Sequence, residues 1–343
     1  VSLNSEVAGT FTTTAPASLI TGAMLDNDTH QISASAQSLT INLHSLLGWF
    51  NGSEYVSAER VSNVEPAVFT ARLTGGSKAN TLSASDWQSA LDIIKREDIN
   101  IVSPFTTDQG VQALVATHAV DAAQDAGYER NVWVGTPAAT SIGNTFTTFT
   151  KAFNDRNVAV TNQNITVGGV SLDPRFTACL FAAMQGATPI ATPLTRKRPT
   201  PSVTATTENF SREDDAGLAI RRGIVFFADP SNTGLRIERS VTTWVKDDNP
   251  VYSEVSANES VNNCIREVRS ALQAQVGTAI TAGRSSEVQR VAQNTLFDLK
   301  KNGLIADYRD LSVTLAGDVA NVVFAVAALE PLNFITVTTN VVR

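Results

Sequence analysis

The chain has 343 residues, which is enough for two or three domains that each bury a hydrophobic core. Its 26 Lys and Arg residues against 33 Asp and Glu residues give a net charge of -7. This acidic balance argues against a nucleic-acid binder, because phosphate contacts need clustered cations. No apolar run approaches the ~20 residues of a membrane helix, so we expect no membrane insertion.

Residues 1–84 are rich in Ser, Thr and Asn and contain only short apolar patches. No apolar stripe at helical spacing persists there, which favours short strands over helices. We therefore predict a small β-rich domain over residues 1–84.

Strands and helices alternate from Ser85 onward. Helix starts are indicated by a capping box at residues 85–88, by Asp108, and by Asp173-Pro174, where Asp is the N-cap and Pro the first helical residue. A further helix carries Ile142, Phe146, Phe149 and Phe153. Buried strands are predicted at 99–105, 132–135 and 158–161. This alternation predicts an α/β fold over residues 85–343, with a mixed β-sheet flanked by helices.

A proline-rich loop over residues 187–203 contains Arg196-Lys197-Arg198 and marks a possible boundary within this domain. After a short helix over 213–221, residues 223–250 predict a β-hairpin with an apolar run at 224–228 and an alternating return strand over 235–245. Arg239 lies on the apolar side of that strand. A buried guanidinium is costly unless it is paired, so we expect an acidic or carbonyl partner.

Two helices and three strands are predicted after the hairpin. The inward residues of the first helix, 258–276, are expected to be Val261, Ile265, Val268 and Leu272. Those of the second, 286–302, are expected to be Val288, Val291, Thr295 and Leu299. The strands are predicted at 311–315, 321–328 and 333–342. The middle strand is apolar on both faces, which is typical of a central strand.

No combination of residues indicates catalysis or metal binding. His118 lies on an apolar helix face, which is typical of a core histidine, and His30 and His44 lack metal-ligand spacing. Cys179 and Cys264 are predicted to be buried free thiols. We therefore expect no enzyme, cofactor or metal. The alternative is an α/β enzyme with a small-ligand or nucleotide site, which nucleotides or metals would stabilise thermally.

The hairpin and the elements after it carry a family resemblance. Residues 223–227 (GIVFF), residues 234–244 (GLRIERSVTTW) and the run from Glu330 to Thr338 resemble the C-terminal core of contractile tail sheath proteins of bacteriophages. The likeness extends from about Trp87 to the end of the chain. It implies a structural subunit that polymerises as stacked hexameric rings around a tail tube and contracts to drive the tube through the host envelope.

The resemblance also implies partners and a location. The partners are further copies of the chain, the tail tube protein, the baseplate and the tail terminator. The location is the virion tail, assembled in the cytoplasm of the bacterial host. The sheath of a phage-like bacteriocin or secretion system stays open as an alternative.

The resemblance implies three surfaces. Arg284, Arg290, Lys300 and Lys301 are candidates to face an often acidic tube, although Lys300 and Lys301 equally complement a helix dipole. Residues 1–84 are expected to face outward. Family members add strands from extended arms to a neighbour's sheet, so the final strand is a candidate inter-subunit strand through Phe334, Ile335, Val337, Thr339 and Val341. Because the chain starts at Val1 and ends directly after that strand, we expect a fragment that lacks both arms and is a monomer.

Overall fold

The structure is a computed structural model, and it describes residues 11–12, 31–33, 38–39, 51–52, 70–72, 82–200, 202–206, 213–228, 234–247, 249–281 and 283–333. The chain divides into two compact units, Val1–Leu82 and Ser83–Arg343. In the described part of the first unit, four short strands form two antiparallel pairs, β1 with β3 and β2 with β4. Their bounds are β1 Phe11–Thr12, β2 Gln31–Ser33, β3 Ser38–Leu39 and β4 Thr70–Arg72. The β-rich domain over 1–84 stays a prediction, because most of this unit lies outside the described residues.

The second unit combines helices and strands. Its helices are α1 Ala84–Ile94, α2 Gln109–Asp121, α3 Ile142–Asn144, α4 Lys151–Phe153, α5 Pro174–Gly186, α6 Glu213–Arg221, α7 Pro250–Ser253, α8 Val255–Leu272 and α9 Arg284–Lys301. Its strands are β5 Ile101–Val102, β6 Asn131–Gly135, β7 Val158–Thr161, β8 Ile165–Val167, β9 Val170–Leu172, β10 Val203–Thr206, β11 Phe227–Ala228, β12 Arg236–Ile237, β13 Asp307–Ala316 and β14 Val319–Ala327. Ala122–Ala126 and Thr145–Thr150 are π-helical, and Gln273–Gln275 forms a 3-10 turn.

A three-stranded parallel sheet in the order β5-β6-β7 forms the centre of this unit. Ile224 extends it on the far side of β7 through a parallel bridge to Val160. The residues of β6 and β7 are buried throughout, as expected for parallel strands that helices cover on both faces. Two antiparallel strands, β9 and β10, flank β8 in a second sheet. The predicted mixed α/β fold is confirmed.

Each face of the parallel sheet has its own hydrophobic core. On one face, Val132 and Val134 pack with residues of α1, α2 and α6, such as Leu91, Val115 and Ala219. On the other face, Trp133 packs against Phe181 of α5, with ring centroids 5.4 Å apart, and Phe181 in turn contacts Phe227 at 4.7 Å. Leu194, in the proline-rich loop, is buried in this second core.

The capping residue of α1 differs from the sequence prediction. Ser83, not Ser85, is the N-cap: its hydroxyl accepts from the backbone N–H of Asp86, whose carboxylate accepts from the N–H of Ser83 at 2.8 Å. Ser83-Ala84-Ser85-Asp86 satisfies the S-x-x-D spacing, because Asp replaces Glu at the third helical position. The Asp108 and Asp173 caps are confirmed.

The predicted hairpin forms, but its second strand is much shorter than expected. Phe227 pairs with Ile237 and Ala228 with Arg236, and the turn at 229–233 lies outside the described residues. The predicted strand over 235–245 is wrong beyond Ile237, because the following backbone takes other partners. The N–H of Thr242 donates to the carbonyl of Ser253, and that of Thr243 donates to the carbonyl of Val158.

The buried face of α8 is the largest departure from the sequence prediction. The helix begins at Val255 rather than Asn258, and the predicted inward residues Val261 and Ile265 are half-buried. Asn258 and Asn262 are fully buried instead. Both donate to the side-chain oxygen of Asn157, at 2.9 and 3.0 Å. The polar side of α8 is buried because its hydrogen-bond partner Asn157 lies beside the parallel sheet.

A third core joins α8, α9 and a long hairpin of β13 and β14. The residues of α9 that are buried in it are Val288, Ala292, Leu296 and Leu299. The predicted inward positions Val291 and Thr295 are half-buried, so the true stripe is rotated toward Ala292 and Leu296. Within the described ranges β14 pairs only with β13, so its central position stays a prediction. No described helix has the length and apolarity needed to cross a membrane.

Candidate interaction surfaces

The helix α9 presents one face to the third core and the opposite face to solvent. Buried Val288, Ala292, Leu296 and Leu299 hold the helix against α8 and the β13–β14 hairpin. Because this stripe occupies one side, positions spaced by three or four residues on the other side form a continuous exposed row.

Of the four cations predicted to face the tube, two form ion pairs within the described part of the chain and two do not. Arg284 donates to the Glu287 carboxylate at 2.8 Å and to the side-chain oxygen of Gln275 at 3.1 Å. Lys300 pairs with Asp307 at 2.8 Å. Arg290 and Lys301 are exposed, and neither forms an ion pair with another described residue. Two of the four candidates therefore serve contacts within the chain, and two are available to a partner.

An aromatic side chain lies between the two available cations. Phe297 is 57% exposed. Arg290, Asn294, Phe297 and Lys301 follow the i, i+4, i+7, i+11 spacing of one helix face. We call these four residues the basic-aromatic face. Exposed Asp298 adjoins it and reduces its positive charge.

Sequence reasoning missed Phe297. The sequence could have indicated it, because Phe297 lies off the apolar stripe of α9. An aromatic residue is nevertheless assigned to the core until the orientation of the helix is known. The predicted inter-subunit strand residues Phe334, Ile335, Val337, Thr339 and Val341 lie outside the described residues, so that surface stays a prediction.

Arg239 pairs with the carboxylate of Glu254, so it has the acidic partner that its position on the apolar side predicts. The Nε of Arg239 donates to Oε1 of Glu254, whose side chain is 1% exposed, whereas that of Arg239 is 22% exposed. Burial raises the pKa of Glu254, and the neighbouring guanidinium of Arg239 opposes that rise. The pair joins the end of the hairpin to the start of α8.

His118, Arg130 and the two cysteines take part in packing within the chain. His118 contacts buried Arg130, whose guanidinium donates to the carbonyls of Ile94 and Glu97 at the end of α1. Burial raises the pKa of the Cys264 thiol to about 12. Cys179 and Cys264 are both free, with Cys264 buried as predicted and Cys179 half-buried.

A cavity of about 340 Å³ lies between the start of β5, the end of α5 and the start of α8. Its polar lining residues are Asn100, Gln185, Thr188, Thr192, Ser256 and Glu259. Gln185 accepts from the indole N–H of Trp133 at 2.6 Å, and Glu259 accepts from Arg266 at 2.8 Å, so both are held by structural contacts. In the described part of the chain, no group of three or more His, Cys, Asp or Glu residues could hold a metal ion.

Known phage proteins resemble this chain in sequence. Residues 80–243 match the model of the phage tail sheath protein central domain. The tail sheath protein of Bacillus phage SP01 is 22% identical over 270 residues, which cover 77% of this chain and 47% of the relative. The chain thus spans about half the length of the curated relatives it matches.

Solved structures share the fold. The sheath tail protein of Desulfitobacterium hafniense superposes with a TM-score of 0.61 at 12% identity, covering 87% of this chain and 73% of the other. A chain of the anti-feeding prophage baseplate gives 0.60 at 17% identity, covering 92% and 83%. A chain of the contracted PVC sheath complex, from an extracellular contractile injection system, gives 0.58 at 14%, covering 74% of each. Residues 80–243 are therefore similar to the phage tail sheath central domain family, and the chain has the fold of sheath proteins.

Proposed function

We propose that this chain is a structural subunit of a contractile phage tail sheath, which polymerises around the tail tube and contracts to drive the tube through the host envelope. The observation that carries the proposal is the sheath-domain match over residues 80–243, together with a sheath fold over most of the chain. Its partners would be further copies, the tube protein, the baseplate and the tail terminator, in a virion tail assembled in the host cytoplasm. We propose no enzymatic activity.

The basic-aromatic face of α9 is the proposed contact with the tube. It combines two cations that have no ionic partner among the described residues with an exposed aromatic ring, and such a face fits an acidic surface that has some apolar area. The cations would accelerate and orient docking, whereas Phe297 would contribute the buried apolar contact. The alternative role for Lys301, complementation of the α9 dipole, needs no partner.

Charge reversal tests the electrostatic part of this contact. We expect Arg290→Glu with Lys301→Glu to weaken binding to purified tube protein about tenfold or more at low ionic strength, and to make binding less dependent on salt. The matched control reverses two exposed cations elsewhere, Arg96→Glu with Lys246→Glu, which changes the net charge equally. Equal binding by both double variants would exclude α9 as the tube contact.

Phe297→Ser tests the apolar part. We expect about tenfold weaker binding with an unchanged salt dependence, because the variant removes buried area and no charge. Co-sedimentation with preformed tubes at several ionic strengths measures both quantities.

A second candidate is the sheath of a bacteriocin or injection system, which the fold shared with the extracellular injection system favours. Electron microscopy of particles from the source separates the two: a striated contractile tail attached to a capsid supports the phage sheath, whereas tails without capsids support the alternative. Particles without any sheath would contradict both. The expectation that this chain by itself is a monomer also stays a prediction.

A further inference from the structure

The Glu254 carboxylate is a junction between four separate parts of the chain. Glu254 occupies the N-cap position of α8, and its Oε1 accepts from Arg239 in the segment after β12. The same oxygen accepts from the side-chain amide of Asn333 at 2.8 Å. Asn333 in turn accepts, through Oδ1, from the hydroxyl of Thr195 in the proline-rich loop at 3.1 Å.

The acceptor side of this junction is rigid. The backbone of Glu254 forms an antiparallel bridge with Val241, and the N–H of Val255 donates to the carbonyl of Ser240. The carboxylate is buried, and its Oε2 has no hydrogen-bond partner in the described part of the chain. Glu254 therefore presents a fixed, poorly solvated acceptor to any donor that reaches it.

The stretch 328–333, which carries the donor Asn333, makes few other contacts with the described core. Ala328 is buried, but Leu332 is 80% exposed. Between described residues, the stretch 328–333 makes no backbone–backbone hydrogen bond. Glu330, Pro331 and Leu332 instead line an open cleft of about 300 Å³ beside Arg239 and Glu254. The carboxamide of Asn333 is thus the polar attachment of this stretch to the described core.

Asparagine has the chemistry that this position needs. A carboxamide donates through its nitrogen and accepts through its oxygen, so one side chain satisfies both the carboxylate of Glu254 and the hydroxyl of Thr195. An aspartate would accept from Thr195 but repel Glu254. An alanine would leave the buried carboxylate with Arg239 alone and would bind neither group.

We propose that the Asn333 side chain is a latch that fixes the end of the stretch 328–333 against the core. Glu254 is the main acceptor of this latch and Thr195 its second anchor. Asn333 is thus a positioning residue for whatever follows it in the chain. The consequence for assembly rests on the proposed function, because the segment after Asn333 is the predicted inter-subunit strand: the latch sets the place from which that strand reaches a neighbour.

Backbone order parameters from NMR relaxation of the isolated chain, measured at the amides of residues 328–333, test the latch. We expect Asn333→Asp to lower these order parameters from about 0.85 to below about 0.6 at neutral pH, because a charge-assisted hydrogen bond is replaced by repulsion. Thr195→Val, which removes one donor and keeps the side-chain shape, should lower them less. Unchanged order parameters in Asn333→Asp would overturn the proposal.

A reversed pair makes the test specific. In the double variant Glu254→Gln with Asn333→Asp, the introduced amide can donate to the introduced carboxylate, and the carboxylate retains one negative charge for Arg239. We expect the order parameters of residues 328–333 in this double variant to lie within about 0.1 of those of the natural chain. Amides of β6 and β7 should stay near about 0.85 in every variant. A double variant whose order parameters are as low as those of Asn333→Asp would contradict the latch.

Assembly of the complete protein separates the latch from the proposed function. If the natural protein forms ordered sheaths, we expect Asn333→Asp to reduce their yield or order, and the reversed pair to restore both. Normal sheaths from Asn333→Asp, despite lower order parameters in residues 328–333, would overturn the positioning role. A natural protein that forms no sheath would contradict the proposed function and leave the order parameters as the measure of the latch.

Discussion

At the scale of single residues, buried carboxylates are held by guanidinium and amide partners. Burial raises the pKa of Glu254, which Arg239 opposes, and burial raises the pKa of Glu259, which Arg266 opposes. A carboxyl group whose folded pKa is raised lowers the free energy of unfolding as pH rises through that pKa, because the unfolded chain binds fewer protons there. Protonation of Glu254 and Glu259 at low pH should therefore lower the free energy of unfolding less than protonation of paired surface carboxylates does.

Arg239→Ala should lower the free energy of unfolding by about 2–4 kcal/mol at pH 7, because it leaves the buried Glu254 carboxylate without its cation. The loss should shrink as pH falls, since burial raises the pKa of Glu254 and the protonated carboxyl group needs no counter-charge. Urea unfolding at several pH values measures this.

The control is Arg196→Ala, which removes an arginine from the more exposed pair with Glu238 and should cost at most about 1 kcal/mol. Equal losses for the two variants, or a loss at Arg239 that grows on acidification, would contradict the buried-pair interpretation.

At the scale of elements, the contact between β6 and α5 depends on a missing side chain. A Cβ at Gly135, the last residue of β6, would lie 2.2 Å from the carbonyl oxygen of Pro174, in the first turn of α5. Such an approach is impossible for real atoms, so the helix starts directly on the strand only because residue 135 is glycine. This contact brings Phe181 of α5 over Trp133 of β6.

Gly135→Ala should therefore destabilise the chain by about 1–3 kcal/mol, since either α5 or β6 must shift. The matched control is Gly186→Ala at the other end of α5, where the nearest atom to a new Cβ is 3.7 Å away. That variant should be neutral or slightly stabilising, because alanine favours a helix. Thermal unfolding of both variants tests the pair, and a neutral Gly135→Ala would refute the close contact.

At the scale of the whole second unit, α8 connects two cores of different character. Its apolar side, with Cys264 and Val268, packs with α9 and the β13–β14 hairpin. Its polar side, with Asn258 and Asn262, bonds to Asn131 and Asn157 beside the parallel sheet. Arg266 and Arg269 extend this seam to the carbonyls of Glu129 and Gly127. A polar seam fixes orientation because its hydrogen bonds have a single geometry.

Asn258→Ala should lower the free energy of unfolding by about 1–3 kcal/mol, because it leaves the buried oxygens of Asn131 and Asn157 with fewer donors. Val261→Ala, at a half-buried position on the stripe that the sequence predicts to face inward, should cost less. Hydrogen exchange should show greater loss of protection in α8 for the asparagine variant. The reverse order would mean that the apolar stripe, not the seam, holds this helix.

The sequence by itself determined the local elements and the fold class. The caps at Asp108 and Asp173 and the apolar runs of β6 and β7 act over a few residues, so they can be predicted without the rest of the chain. The position of Arg239 on an apolar side likewise implied an acidic or carbonyl partner. The resemblance carried by the hairpin gave the family, which the comparisons support.

Only the tertiary structure decided which groups meet. Glu254 is 15 residues from Arg239 and 79 from Asn333, and Asn258 is 101 residues from Asn157. None of these three pairs could be identified from sequence spacing. Apolar periodicity predicts burial only when the buried surface is apolar, so it was wrong at Val261 and Ile265 of α8, whereas Val268 is buried as predicted. The exposure of Phe297 depends on the rotation of α9 against its neighbours, which is set by packing across the third core rather than by any local signal.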